Sequence, residues 1–204
     1  MEGLLRLNWR GSNEVEWTDE EAVARALDDD PEAFGVLVRR YQGMVYRLLA
    51  RLTGSAHDAE DLAQEVFLRA YCQLPHLRAP GAFRPWLLRA ARNRAIDHAR
   101  AARSSRRAPP GGMLSLSGDT GGARGEGDPA EDAMRAEEVA MVREAVARLP
   151  LADREVIHLK YVEGLTVPDI ARVLGLGPRT VETRLYRARR RLGDLLGEMG
   201  YRGR

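Results

Sequence analysis

The chain has 204 residues, enough for one or two small domains, and its single cysteine, Cys72, excludes a disulfide framework. Hydrophobic residues make up 44% of it and aromatic residues 6%, and no apolar run approaches the roughly 18 residues that span a bilayer, so cores are expected and membrane insertion is not. The net charge is only +2, yet it is segregated: nine acids and one arginine from Glu14 to Glu32, eight arginines and one acid from Arg84 to Arg107, six arginines and one acid from Arg179 to Arg191. Two separated basic blocks suggest two nucleic-acid contacts, while an acidic start can repel DNA or mask a basic surface within the molecule.

Strand-type alternation is nearly absent, so the expected fold is all-α. Residues 1–17 have a short apolar patch but no basic leader with a long hydrophobic segment, and are not a secretion signal. They read as a poorly ordered extension or one with its own contacts. Thr18 caps a first helix, DEEAVARAL. Asp30-Pro31-Glu32 starts a second, in which Phe34, Leu37, Val38, Tyr41, Val45, Leu48 and Leu49 recur at helical spacing. Thr53-Gly54-Ser55 breaks it. A third helix is expected over about 56–74, with Leu62, Val66, Phe67 and Ala70 inward and Asp58, Asp61, Gln64, Glu65, Leu68 and Arg69 outward. By physics alone this is a well-capped helix with a solvated acidic face. Cys72 near its end is expected as a small core residue.

After Pro75, Pro80 and Gly81, a fourth helix runs over about 82–101, its inner face Phe83, Leu87, Ala91 and Ile96. Its outer face carries arginines with Trp86, Asn93 and His98 between them. Such a surface can neutralise phosphates and stack on unpaired bases, or be merely a solvated basic helix with Trp86 in the core. Residues 102–130 are rich in Gly, Pro and Ser with few large apolar residues, as in a flexible linker. The chain therefore divides into an extension (1–17), a first domain (18–101), the linker (102–130), a second domain (131–197) and a tail (198–204).

The second domain begins with helices over about 129–149 and 152–163. Then comes TVPDIARVLGLGPRTVETRLYRARRRL, residues 166–192. Thr166 caps a short helix, Gly175 stops it, and Gly177-Pro178 starts another whose Val181 and Leu185 face inward. Ala171, Gly175 and Val181 sit at the offsets of a helix-turn-helix, four and six residues. Arg179, Thr180, Glu182, Thr183, Arg184 and Arg187 point outward, and an ordinary helical hairpin is the plain alternative. Glu182 can accept from cytosine N4 or pair with Arg179 or Tyr186.

In this order, AEDLAQEVFLRAY, FRPWLLRAARNRAIDHAR, a Gly/Pro-rich linker, LPLADREVIHLKYVEGLT and the helix-turn-helix resemble a bacterial sigma factor of the extracytoplasmic-function (ECF, group IV) type, over residues 18–197. The resemblance implies a region 2-like bundle and a region 4-like helix-turn-helix domain, joined by the linker. It implies docking of Asp61, Gln64 and Glu65, with Leu68 and Arg69 beside them, on the clamp helices of the largest core RNA polymerase subunit. It implies −10 recognition and melting by the loop at 76–81 and the fourth helix, with Arg78, Arg84, Trp86, Arg89, Arg92, Asn93 and His98 as candidates. It implies −35 duplex recognition by Arg179, Thr180, Glu182, Thr183, Arg184, Arg187 and Arg190, with Arg187, Arg189, Arg190 and Arg191 on phosphates. The turn Arg78-Ala79-Pro80-Gly81 departs from the family's Gly-acid-Ser type, so no residue is assigned to hold a flipped base. The expected protein is a non-catalytic, cytoplasmic subunit without cofactors, monomeric outside the holoenzyme, with promoter DNA and an anti-sigma protein among its partners. An operator-binding dimeric regulator would explain only residues 131–197. An enzyme is disfavoured by four scattered histidines and the lack of a Gly-rich phosphate loop.

Overall fold

A computed structural model describes residues 17–105 and 129–201. The described elements are helical: α1 (Asp19–Leu27), α2 (Pro31–Thr53), α3 (Ala56–Gln73), 3-10 turns at Leu74–His76 and Pro80–Ala82, α4 (Phe83–Ser105), α5 (Pro129–Arg148), α6 (Leu151–Ile157), α7 (Val167–Leu174) and α8 (Pro178–Glu198). The expected N-terminal extension and most of the expected linker lie outside the described residues.

Local chemistry sets the helix starts. The Thr18 hydroxyl accepts from the Glu21 amide (3.2 Å) while Glu21 Oε2 accepts from the Thr18 amide (2.8 Å), a reciprocal capping box. Asp30, Ser55 and Thr166 cap α2, α3 and α7 through side-chain oxygens. Asp29 turns the chain between α1 and α2 with φ 63°, a conformation that Asp tolerates better than most residues.

In the first half α2 packs against α1, α3 and α4. Tyr41 and Arg40 of α2 both bind the Asp19 carboxylate, tying α1 down, and Phe34 meets Tyr71 edge-on at 5.0 Å. In the second half α8 packs against α5, α6 and α7. The two halves also touch: α4 lies along α7, and one apolar core continues from α1–α4 into α6–α8.

Several expectations are corrected. Cys72 is exposed, because α3 turns it away from α2. On α4 the buried set is Phe83, Pro85, Leu87, Leu88, Ala91 and Ala95, with Ile96 only half-buried, since α4 must face both its own bundle and α7. α4 continues to Ser105. The sixth helix is not uniform: after Ile157 it widens into a π-turn over His158–Val162. Such turns are uncommon and are often found at functional sites.

Candidate nucleic-acid interface

The helix-turn-helix forms as the offsets require. Gly175 has φ 66° and ψ 36°, the left-handed cap that ends α7. A Cβ there would meet nothing within 4 Å, so the requirement is for backbone conformation, not room. Val181, Leu185 and Ala188 are buried, which turns Arg179, Thr180, Glu182, Thr183, Arg187 and Arg190 outward as exposed side chains, with Arg184 half-buried. α8 spans 21 residues, about 31 Å at 1.5 Å per residue.

Three details alter the sequence view of α8. The Thr183 hydroxyl donates to the Arg179 carbonyl at 2.9 Å, which leaves its oxygen able only to accept from a further partner. Glu182 is exposed, and of the two roles open to it the pairing with Arg179 or Tyr186 is not formed: among the described residues it makes no ion pair or side-chain hydrogen bond. Arg191, expected on a phosphate, instead binds the buried Asp153 carboxylate and clasps α8 to α6. A buried acid needs such a partner, and its demand outweighs a surface role.

The candidates on α4 and the turn before it divide into three groups. Arg89 and Asn93 are exposed, and Arg78 is exposed on the preceding turn. Trp86 is half-buried, its ring 5.8 Å from that of Phe83, and His98 is half-buried. Arg84 and Arg92 are engaged with the second half of the molecule. Arg92 holds Glu155 through Nε (2.6 Å) and Nη2 (3.4 Å), and Arg84 donates to the Glu163 carbonyl. Arg89 lines an open cleft together with Pro168, Arg172, Gly175 and Pro178 of the helix-turn-helix.

On α3, Asp61, Gln64, Leu68 and Arg69 are exposed along one side. Glu65 is partly committed: Arg94 Nε donates to its Oε2 at 2.6 Å, and that bond holds the Glu65 carboxyl below the usual range.

A charged cluster between the halves had no sequence signal. Arg47 of α2 grips Glu163 through Nη2 (3.1 Å) and Nε (3.4 Å). His158 is 2% exposed, with Nε2 3.0 Å from Glu163 Oε1 but off the line of a hydrogen bond, and Nδ1 has no partner. Burial pushes the Glu163 carboxyl up, but His158 and Arg47 outweigh it and hold it below the usual range. Arg51 and Arg154 stand nearby; burial pulls both guanidiniums down, and each leaves its Nε unpaired. The residues that form this cluster are 79 to 116 positions apart in its cross-half bonds, beyond any local pattern.

Burial lowers the His158 pKa, with Arg51 and Arg47 adding to the fall and Glu163 opposing it. The unfolded chain therefore binds a proton near pH 6.5 that the folded protein resists. Stability is expected to be full above about pH 7 and to decline as pH falls through about 6.5. Urea unfolding midpoints at pH 7.5 and 5.5 check this, and His158→Gln should flatten the decline. Identical slopes for the two proteins would remove His158 as its source.

Among the described residues no three His, Cys, Asp or Glu side chains form a group able to hold a metal ion, and no helix is long and apolar enough to cross a membrane. The arrangement is that of a two-part helical protein with a helix-turn-helix at one end. Comparison with known proteins agrees. The family pattern described as Sigma-70 region 2 matches residues 37–105, and that of Sigma-70 region 4 matches residues 140–192. The RNA polymerase sigma-H factor of Pseudomonas aeruginosa is 34% identical over 186 residues, covering 87% of this chain and 93% of that protein. The ECF RNA polymerase sigma factor SigW of Bacillus subtilis is 29% identical over 195 residues, 91% of this chain and 100% of that protein. Among solved structures, CnrH in complex with the cytosolic domain of CnrY superposes with a TM-score of 0.60 at 31% identity, covering 88% of this chain and 97% of that one. The chain belongs to the sigma-70 family, as a sigma factor of the ECF type that directs transcription initiation.

Proposed function

We propose that the labour of initiation is divided between residues 18–101 and 131–197. The exposed side of α3, with Asp61, Gln64, Leu68 and Arg69 and the half-committed Glu65, docks on the clamp helices of core RNA polymerase. α8 reads −35 duplex. Arg179, Thr180, Glu182, Thr183 and Arg184 address base edges, while Arg187, Arg189 and Arg190 neutralise phosphates. The turn at Arg78 and the basic side of α4, with Arg84, Trp86, Arg89, Arg92, Asn93 and His98, takes the melted −10 strand. The observation that carries this reading is the single exposed arginine-rich face of α8, set by burial of Val181, Leu185 and Ala188 on the opposite side.

The protein contributes no catalytic group of its own: it selects where a cytoplasmic polymerase starts. An anti-sigma partner is part of the proposal, and the related CnrH was solved in complex with another protein, the cytosolic domain of CnrY.

The test is transcription in vitro with sigma-free core enzyme on a genomic fragment library, sequencing the RNA starts. Starts should share a common pair of upstream elements; random starts would overturn the reading. In the same assay Arg184→Ala should lower initiation at −35-dependent promoters about 10-fold or more, since a good base contact contributes roughly 1–3 kcal/mol. Core binding should be unchanged. Undiminished selectivity would remove Arg184 from the reading face.

A further inference from the structure

Four guanidiniums gather around a single glutamate where α2, α4 and α6 meet. Arg47 of α2 bonds the Glu163 carboxylate, Arg84 of α4 donates to the Glu163 carbonyl, and His158 Nε2 stands 3.0 Å from Glu163 Oε1. Arg51 follows Arg47 by one turn of α2, and Arg154 precedes His158 by one turn of α6, which sets these two arginines against each other. The π-turn aligns the acid with the histidine. Around a regular helix His158 and Glu163 would diverge by about 140°. The widened turn, closed by the Glu163 amide on the His158 carbonyl at 3.1 Å, brings them together.

The cations outnumber the acceptors that the protein offers them. Glu163 is the carboxylate bonded inside the cluster; the neighbouring acids of α6, Asp153 and Glu155, are taken by Arg191 and Arg92. Arg154 bonds only the carbonyls of Ala147 and Leu149 at the end of α5. Arg51, half-buried, makes no hydrogen bond or ion pair with any described residue. The Nε atoms of Arg51, Arg84 and Arg154 are buried without an acceptor, and both ring nitrogens of His158, 2% exposed, lack a hydrogen bond. A guanidinium carries five donors and keeps its proton, so withdrawing it from water without an acceptor is costly. A water molecule would supply the acceptor but no negative charge, and the repulsion among Arg47, Arg51 and Arg154 would stand.

We infer that this cluster is a binding site for a small phosphate-type dianion, with Arg51 and Arg154 as its principal ligands and Arg47 beside them. The chemistry selects the class. A guanidinium presents its N–H groups as a fork that matches two oxygens of a phosphate, and a tetrahedral phosphate has oxygens enough for more than one fork. Four guanidiniums against one carboxylate leave an excess of three positive charges, of which a dianion offsets two. Free phosphate and the phosphate end of a nucleotide share this chemistry. The site draws on α2, α4 and α6 together, so it belongs to the full chain and to neither half alone. The arginines of the α8 reading face take no part in it.

Inorganic phosphate is titrated into the full chain at pH 7.5, with chloride holding the ionic strength constant. Binding is read from phosphorus NMR line broadening, and the thermal unfolding midpoint is followed alongside. Wild type should bind phosphate saturably, and its midpoint should climb with the logarithm of phosphate concentration above Kd. Arg51→Gln should bind about 10-fold more weakly or worse, since it removes a charge-assisted contact. In phosphate-free buffer it should unfold at the same temperature as wild type or higher, because the lost cation had no acceptor and was repelled by Arg154 and Arg47. Arg39→Gln removes an exposed arginine of the same helix and should leave the affinity unchanged. Phosphate also stabilises proteins generally by exclusion from their surfaces, an effect that does not saturate and is the same in all three proteins. A rise of that kind alone, or equal phosphate affinity in wild type and Arg51→Gln, would overturn the site. Should Arg51→Gln fail to fold, Arg51→Lys serves the same test: it keeps the charge and loses the fork, so affinity should fall, and an unchanged affinity overturns the site. Adenosine triphosphate in the same titration separates the sources: tighter binding than phosphate assigns the site to a nucleotide, equal or weaker binding to the free ion.

Discussion

An Asp61→Arg, Leu68→Arg protein is expected to lose core polymerase almost completely, by about 100-fold or more in affinity, while its helicity and unfolding midpoint stay as in wild type. The Asp61 side chain is 64% exposed and Leu68 is 48% exposed, on the same side of α3. Surface changes of this kind move stability by only about 0.5 kcal/mol either way. A lone exposed leucine is unremarkable, but one set among Asp61, Gln64 and Arg69 has the make-up of an apolar anchor with a polar rim. Losing an anchor costs about 2–4 kcal/mol of binding, and a reversed charge beside it adds repulsion. Glu65 is a poorer probe, because Glu65→Arg would also strand Arg94. Co-elution with core enzyme on gel filtration, with circular dichroism as the control for folding, measures the effect. Retained binding would move the docking face away from α3.

The largest effect on stability is expected from Phe83→Ala, a loss of about 3–5 kcal/mol. Phe83 is fully buried at the start of α4, its ring 5.7 Å from Tyr41 and 5.8 Å from Trp86. Truncation removes these ring contacts and leaves a cavity where α2 and α4 meet. A domain of this size has only about 5–15 kcal/mol in total, so unfolding in urea should begin at far lower concentration. Phe83→Leu should cost much less, because it retains most of the volume. A loss below about 1 kcal/mol for Phe83→Ala would mean that the site collapses around the change and that the ring is not central to the core.

The parts of this protein that were legible in its sequence are those governed by neighbours in the chain. Caps at Thr18 and Thr166, the helix start at Asp30-Pro31-Glu32, the break at Thr53-Gly54-Ser55, the left-handed stop at Gly175 and the inward pair Val181 and Leu185 depend on residues within one or two turns, and the structure shows each as expected. The errors fall where a helix has two neighbours or where a side chain answers a distant partner. Ile96 and Cys72 follow helical periodicity, yet periodicity alone does not say how many faces of α3 and α4 are covered. Arg191 has the look of a phosphate contact until Asp153 is found buried beside it.

From sequence alone came an all-helical chain, a helix-turn-helix with one arginine-rich face, and the order of motifs that marks a sigma factor, because helix propensity, capping and turn stereochemistry act over a few residues. Only the tertiary structure decided that Arg47, Arg84 and Arg92 meet Glu163 and Glu155, and that α4 lies along α7. Those contacts join segments 63 to 116 residues apart, and burial dictates them: a carboxylate withdrawn from water must find a cation wherever the packed helices present one.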